Sequence, residues 1–108
     1  MKYFTQEQHD QFLKSIERDL RNYYSECFCT HYWLTNDIKY LDVYLTRTKD
    51  GEDLVKTSII YAHYSETYRV TNVCKQLKIR DEKHFNTYEE SIEYIKKFLK
   101  GIEFLLVD

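Results

Sequence analysis

Cys27, Cys29 and His31 alternate along one stretch of chain, and with Cys74 or His63 they offer thiolates and imidazoles of the kind zinc takes. On a strand all three would point the same way. Ligands two residues apart on a strand lie about 7 Å apart, too far to share a tetrahedral ion without distortion. Structural zinc sites favour Cys-x2-Cys knuckles at turns, and cysteine is often simply a buried apolar residue. No metal site is expected.

Cys29, His31 and Asp42 also suggest a nucleophile, a base and a residue that orients it. Attack on a carbonyl would need an oxyanion loop, and the chain has only two glycines, Gly51 and Gly101, with which to build one. A His–Asp pair across neighbouring strands more often serves as a structural hydrogen bond. There is no phosphate-cradling glycine loop, no His-Glu-x-x-His and no Gly-x-Ser-x-Gly. The chain is therefore read as no enzyme, with no catalytic residues and no cofactor. His9 falls on or near an apolar helical stripe and is expected to pack, while His84 sits in a polar stretch. Lys78–Lys83 reads as a solvated turn.

The elements that hold these residues can be read from periodicity. Thr5 and Gln8 form a capping box, and Phe12, Leu13, Ile16, Leu20, Tyr23 and Tyr24 then recur at helical spacing. This predicts a helix from about Gln6 to about Tyr24. From Cys27 to Lys75 the period becomes two, with β-branched and aromatic residues dominant. Four strands are predicted: Cys27–Leu34, Ile38–Arg47, Leu54–His63 and Tyr68–Lys75. Gln76–Arg80 either extends the fourth or makes a short fifth, and Asp81–Asn86 reads as a polar loop. Asp50-Gly51 is a strong two-residue hairpin signal, and Asn36-Asp37 and Ser65-Glu66 are weaker ones. Thr87 and Glu90 cap a second helix bearing Tyr88, Ile92, Ile95, Phe98 and Leu99, with Gly101 just past its end. The tail Ile102–Val107 is too apolar to stay in water.

The fold class that follows is α+β. It is a single domain over residues 1–108, with an N-terminal helix, a four- or five-stranded antiparallel sheet and a C-terminal helix, both helices on one face. At 108 residues and 43% hydrophobic the chain can build one core unaided. The helix–strands–helix order resembles that of double-stranded RNA-binding domains. That resemblance would imply nucleic-acid binding, but the second helix opens Thr87-Tyr88-Glu89-Glu90, with acid where such a domain wants lysine. The net charge is −2 and the pI about 6.1, against the basic surface that phosphate backbones require. No stretch is long and apolar enough to span a membrane, and no signal peptide opens the chain. Three cysteines, an odd count, fit a reducing cytoplasm.

Counting outward from two-residue turns pairs Leu41 with Ile60 and Tyr32 with Leu41, which puts Leu41, Val43, Leu45, Phe28, Ile60 and Ala62 on the core face. The opposite face then carries Trp33 beside Tyr40 and Tyr61, His31 beside Asp42 and Ile59, and Cys29 beside Tyr44. With a tight turn at Ser65-Glu66, Tyr61 would also face Val70. Trp33, Tyr40, Tyr44, Tyr61, His31 and Asp42 are thus the expected partner-binding residues. The competing reading is that the tail, a loop or a sister subunit covers this face. Eleven tyrosines and common Lys, Ile, Asn and Phe reflect AT-rich coding. Together with the small size, this suggests an inhibitor of a protein or enzyme partner encoded by a phage or mobile element. An immunity or antitoxin protein capping a toxin and a small-molecule sensor are the alternatives.

Overall fold

The structure, a computed structural model, describes residues 3–28 and 40–106. The first helix, α1 (Gln6–Leu20), begins where its cap predicts. Thr5 Oγ1 accepts the Gln8 amide at 3.1 Å and Gln8 Oε1 accepts the Thr5 amide at 2.8 Å, so two otherwise unpaired backbone donors are satisfied. His9, Phe12, Ile16 and Leu20 form its buried stripe. The helix ends at Leu20, not Tyr24, because the chain turns to start the sheet. The Tyr23 amide bonds Leu20 O, and the Ser25 amide already bonds Thr46 O. Tyr24 is still buried, beyond the helix.

Five strands follow as an antiparallel meander in chain order: β1 (Glu26–Phe28), β2 (Tyr40–Lys49), β3 (Glu52–Ala62), β4 (Thr67–Cys74) and β5 (Ile79–Phe85). The turn that holds Ser65-Glu66 is looser than two residues. Ala62 pairs with Thr67 and Tyr61 with Tyr68, not Val70, and the Glu66 amide closes back on Ala62 O. Asp81–Phe85, expected as loop, belongs to β5. Its charges suit a sheet edge, where they discourage pairing with other chains. Two of them also reach the second helix, α2 (Tyr88–Gly101): Asp81 accepts the Tyr94 hydroxyl, and Lys83 Nζ lies 5.3 Å from the Tyr94 ring centre.

The Asp50-Gly51 turn is as expected, with positive φ at both residues (54° and 81°). The register beyond it is not. Lys49 pairs with Glu52 and Thr48 with Asp53, but Arg47 pairs with Val55, so Leu54 is an extra residue in a β-bulge. Every later pair is displaced by one. Leu41 faces Tyr61, Asp42 faces Ile60 and Tyr40 faces Ala62. The bulge lets Leu54 and Val55, adjacent in sequence, both be buried. It also turns Val55 and Ile59 inward, while Ile60 and Ala62, expected in the core, go to the other face. The β1 register differs by one as well: Phe28 lies opposite Tyr44 and Cys27 opposite Leu45. The expected pair, Phe28 with Leu45, is counted from the Asn36-Asp37 turn; the turn itself and the other pairs counted from it lie outside the described residues.

One face of the sheet is covered. Val43, Leu45, Val55, Ile59, Val70 and Cys74 join Phe12, Ile16 and Leu20 of α1 and Ile92, Ile95 and Leu99 of α2 in a single cluster. Each such side chain contributes roughly 1.5–3 kcal/mol on leaving water. A polar chain crosses this interior: the Tyr24 hydroxyl lies 2.5 Å from Thr57 Oγ1, which donates to Asn72 Oδ1 at 2.8 Å. Thr87 caps α2 by accepting the Glu90 amide, and its own hydroxyl donates to the Glu90 carboxylate. Gly101 is the last helical residue, and Ile102 takes the cap position. A short helix, α3 (Glu103–Leu106), then folds the tail back, with Ile102 buried and Phe104 65% exposed.

Candidate functional site

The face opposite α1 and α2 carries the candidate site. Cross-strand pairing builds it in rows, because directly paired residues point to the same side. Tyr40, Ala62 and Thr67 form one row; Asp42, Ile60, Arg69 and His84 form the next; Tyr44, Ser58, Thr71 and Glu82 form a third. A cleft of about 410 Å³ opens over the first two rows, walled by Tyr40, Tyr44 and Tyr64 and floored by Ile60 and Ala62. A second depression of about 730 Å³ shares Tyr44, Ile60 and Arg69 and continues over Lys56 and Arg80.

Tyr64 stands in the β3–β4 turn, 82% exposed, and its ring lies 6.3 Å from that of Tyr40 at 79°. Tyr40 is 38% exposed. Asp42 lines the same cleft yet is only 3% exposed. Its shelter comes partly from α1. His9, fully buried, brings Nε2 to 2.9 Å from Asp42 Oδ1 and 3.3 Å from the Asp42 backbone nitrogen. The imidazole therefore meets β2 at its edge, next to the stretch where β1 pairs with Tyr44–Thr46. The Tyr44 hydroxyl bonds Asp42 as well. Burial holds that hydroxyl above its ordinary pKa, the Asp42 charge pushes the same way, and Arg69 pulls against them.

The structure brings three of the six expected partner-binding residues, Tyr40, Asp42 and Tyr44, to this cleft. Trp33 and His31 lie outside the described residues. Tyr61 is on the wrong side: the bulge turns it to the helix-covered face, where its ring lies 4.6 Å from Tyr68 and 5.9 Å from Phe4. Among the described residues, Asp42 pairs with the His9 imidazole. Counting from Asp50-Gly51 with no bulge hid Tyr64, Ile60 and Arg69 from the site. Tyr64 was legible as an aromatic beside a turn, whereas Arg69 comes opposite Ile60 only because the β3–β4 turn is longer than two residues. His84, placed in a loop by sequence, closes the row on β5 and is exposed.

Among the described residues, no three His, Cys, Asp or Glu side chains come together as metal ligands would. Cys74 is buried in the core cluster. No described helix is long and apolar enough to cross a membrane. No family model, no curated protein and no solved structure matches the chain.

Proposed function

We propose that the chain is a non-enzymatic protein-binding module that meets its partner through the sheet face opposite α1 and α2. The observation that supports this is the gathering of Tyr40, Tyr44 and Tyr64 with Ile60 around one cleft on that face. Tyrosine offers a large, stiff contact area at low entropic cost, with a hydroxyl that is content in water before binding and against a partner afterwards. Inhibition of an enzyme or other protein by a phage or mobile-element product extends the proposal. It rests on coding bias alone.

The test is affinity capture from the native host with the full chain as bait, beside a Tyr40→Ala, Tyr64→Ala variant. A protein held by the wild type should be lost or weakened about tenfold by the variant, as for hot-spot tyrosines. Equal retention by both would overturn the reading. Sedimentation of the chain alone shows whether that partner is a second copy. One observation favours a small-molecule sensor as the second reading, since about 410 Å³ falls within the usual range of ligand pockets. A melting temperature raised by a metabolite at fixed protein concentration would support it.

A further inference from the structure

We infer that the cleft takes an acidic side chain of the partner against Arg69 and His84, with an apolar or aromatic side chain of the same segment seated on Tyr40 and Tyr64. This rests on the protein-binding reading and names the chemistry of the bound segment. Arg69 and His84 are directly paired across β4 and β5, and both are exposed. Among the described residues, neither side chain has an ion-pair or hydrogen-bond partner. Arg18, Arg47 and Lys56, by contrast, are held by Asp19, the Tyr23 carbonyl and Asp53. A guanidinium grips a carboxylate through two parallel charge-assisted bonds, which are stronger than neutral ones. Ser65 and Thr67 line the same cleft with their hydroxyls 2.9 Å apart, and they add donors for an anion.

Among the described residues, the one carboxylate lining this cleft is Asp42. It is 3% exposed and already engaged by the His9 imidazole at 2.9 Å and by the Tyr44 hydroxyl. Two strand spacings place its backbone about 10 Å from that of Arg69, a separation at which salt screens most of the repulsion for an incoming anion. Glu82 lies one row away, outside the cleft, and accepts the Thr71 hydroxyl at 3.3 Å. The charge open to a ligand in the cleft is therefore positive. One row along the strands, about 7 Å from Arg69, the surface turns apolar. Ile60 and Ala62 make the floor there, and the Tyr40 and Tyr64 rings stand at 79° beside it. An extended segment with an apolar and an acidic residue two positions apart presents both on one side at that same spacing. A nucleic acid would need positive charge to continue along the face. The next cations, Lys56 and Arg80, lie two rows beyond Arg69, Lys56 already holds Asp53, and Glu82 stands between. That arrangement favours one acidic residue over a polyanion.

The experiment is an NMR titration of the full chain with acetyl-Phe-Gly-Glu-amide, and with acetyl-Phe-Gly-Gln-amide as a control that keeps the shape and removes the charge. The glutamate peptide should shift the Tyr64 ring and Arg69 side-chain signals saturably, and the glutamine peptide should bind about fivefold more weakly. Arg69→Gln should lose a similar factor for the glutamate peptide and bind both peptides alike. Arg80→Gln, on the same face but outside the cleft, should bind as wild type does. If Arg69→Gln fails to fold, Tyr64→Ala decides, because this side chain is largely in water. Tyr64→Ala should weaken both peptides with no change in melting temperature. Equal binding of the two peptides to wild type, no saturable shift with either, or a glutamate affinity unchanged in Arg69→Gln or in Tyr64→Ala would overturn the inference. Oligothymidylate that binds where the peptides do not, and is lost in Arg69→Gln, would overturn it in favour of a phosphate. If the peptides fail but Tyr40→Ala, Tyr64→Ala still loses a captured protein, only the acidic-residue chemistry is wrong. If the glutamate peptide binds as expected while capture is unaffected by that variant, the anion seat stands and the protein-binding reading falls.

Discussion

Asp42 sits almost out of water against the His9 imidazole. A carboxylate that is almost out of water loses a buried hydrogen-bond partner when the imidazole is removed, at a cost of roughly 1–3 kcal/mol. His9→Ala should therefore lower the urea midpoint far more than an ordinary surface change, and His9→Gln, which can still donate, should lose less. If His9→Ala falls within about 0.5 kcal/mol of wild type, the contact is incidental to stability. Thr87→Ala should cost about 1 kcal/mol through the lost cap on α2, read from the same titration. The caps were plain in the sequence because they are local: Thr5 and Thr87 bond residues three positions on. The partner of Asp42 was not. The helical stripe indicates that His9 is buried but not what it meets 33 residues away.

Between elements, the two helices are tied directly. The Tyr88 hydroxyl at the start of α2 donates to Asp19 Oδ2 at 2.6 Å near the end of α1, and Arg18 holds the same carboxylate. These bonds, Arg18's first and Tyr88's next, hold the Asp19 pKa below its ordinary value. A carboxylate whose folded pKa is depressed stabilises the fold above its unfolded pKa, and that contribution is lost as pH falls through the folded value. Tyr88→Phe should thus destabilise the chain by about 1 kcal/mol at pH 6. The gap from wild type should narrow below about pH 3.8, the ordinary value for the carboxyl. A gap that stays constant down to pH 2 would mean the bond carries no charge-dependent stability. Strand order and the hairpin at Asp50-Gly51 were readable because alternation and the turn pair mark them. The phase of β3 was not, since Leu54-Val55 and Ile59-Ile60 put apolar residues at both parities. Only the bulge selects Val55 and Ile59 for the core. That one extra residue is why Tyr40 and Tyr44 were placed correctly and Tyr61 was not. Asp81–Phe85 escaped notice because its pairing to β4 comes from backbone bonds and contact with α2, with little apolar alternation of its own.

Across the whole molecule, tyrosine hydroxyls knit the layers together, which sets how the fold should fail in alkali. Tyr24 joins the α1–β1 turn to β3 through Thr57, Tyr88 joins α2 to α1, and Tyr94 joins α2 to β5 through Asp81. Burial pushes all three hydroxyls above the ordinary tyrosine value. For Tyr88 and Tyr94 the bonded carboxylates add to it, and Tyr94 reaches about 12. Each has a folded pKa above its unfolded one of about 10, so its contribution is fully present below pH 10 and is lost as pH rises through the folded value. The chain should keep its far-UV circular dichroism to about pH 11 and then unfold cooperatively. The part of the 295 nm tyrosinate absorbance due to Tyr24, Tyr88 and Tyr94 should appear only with that unfolding. Tyr24→Phe should remove one tyrosine's share from the late phase and leave the early phase unchanged. If the full absorbance develops while the circular dichroism is still native, hydroxide reaches these hydroxyls without opening the fold, and they do not hold the layers together.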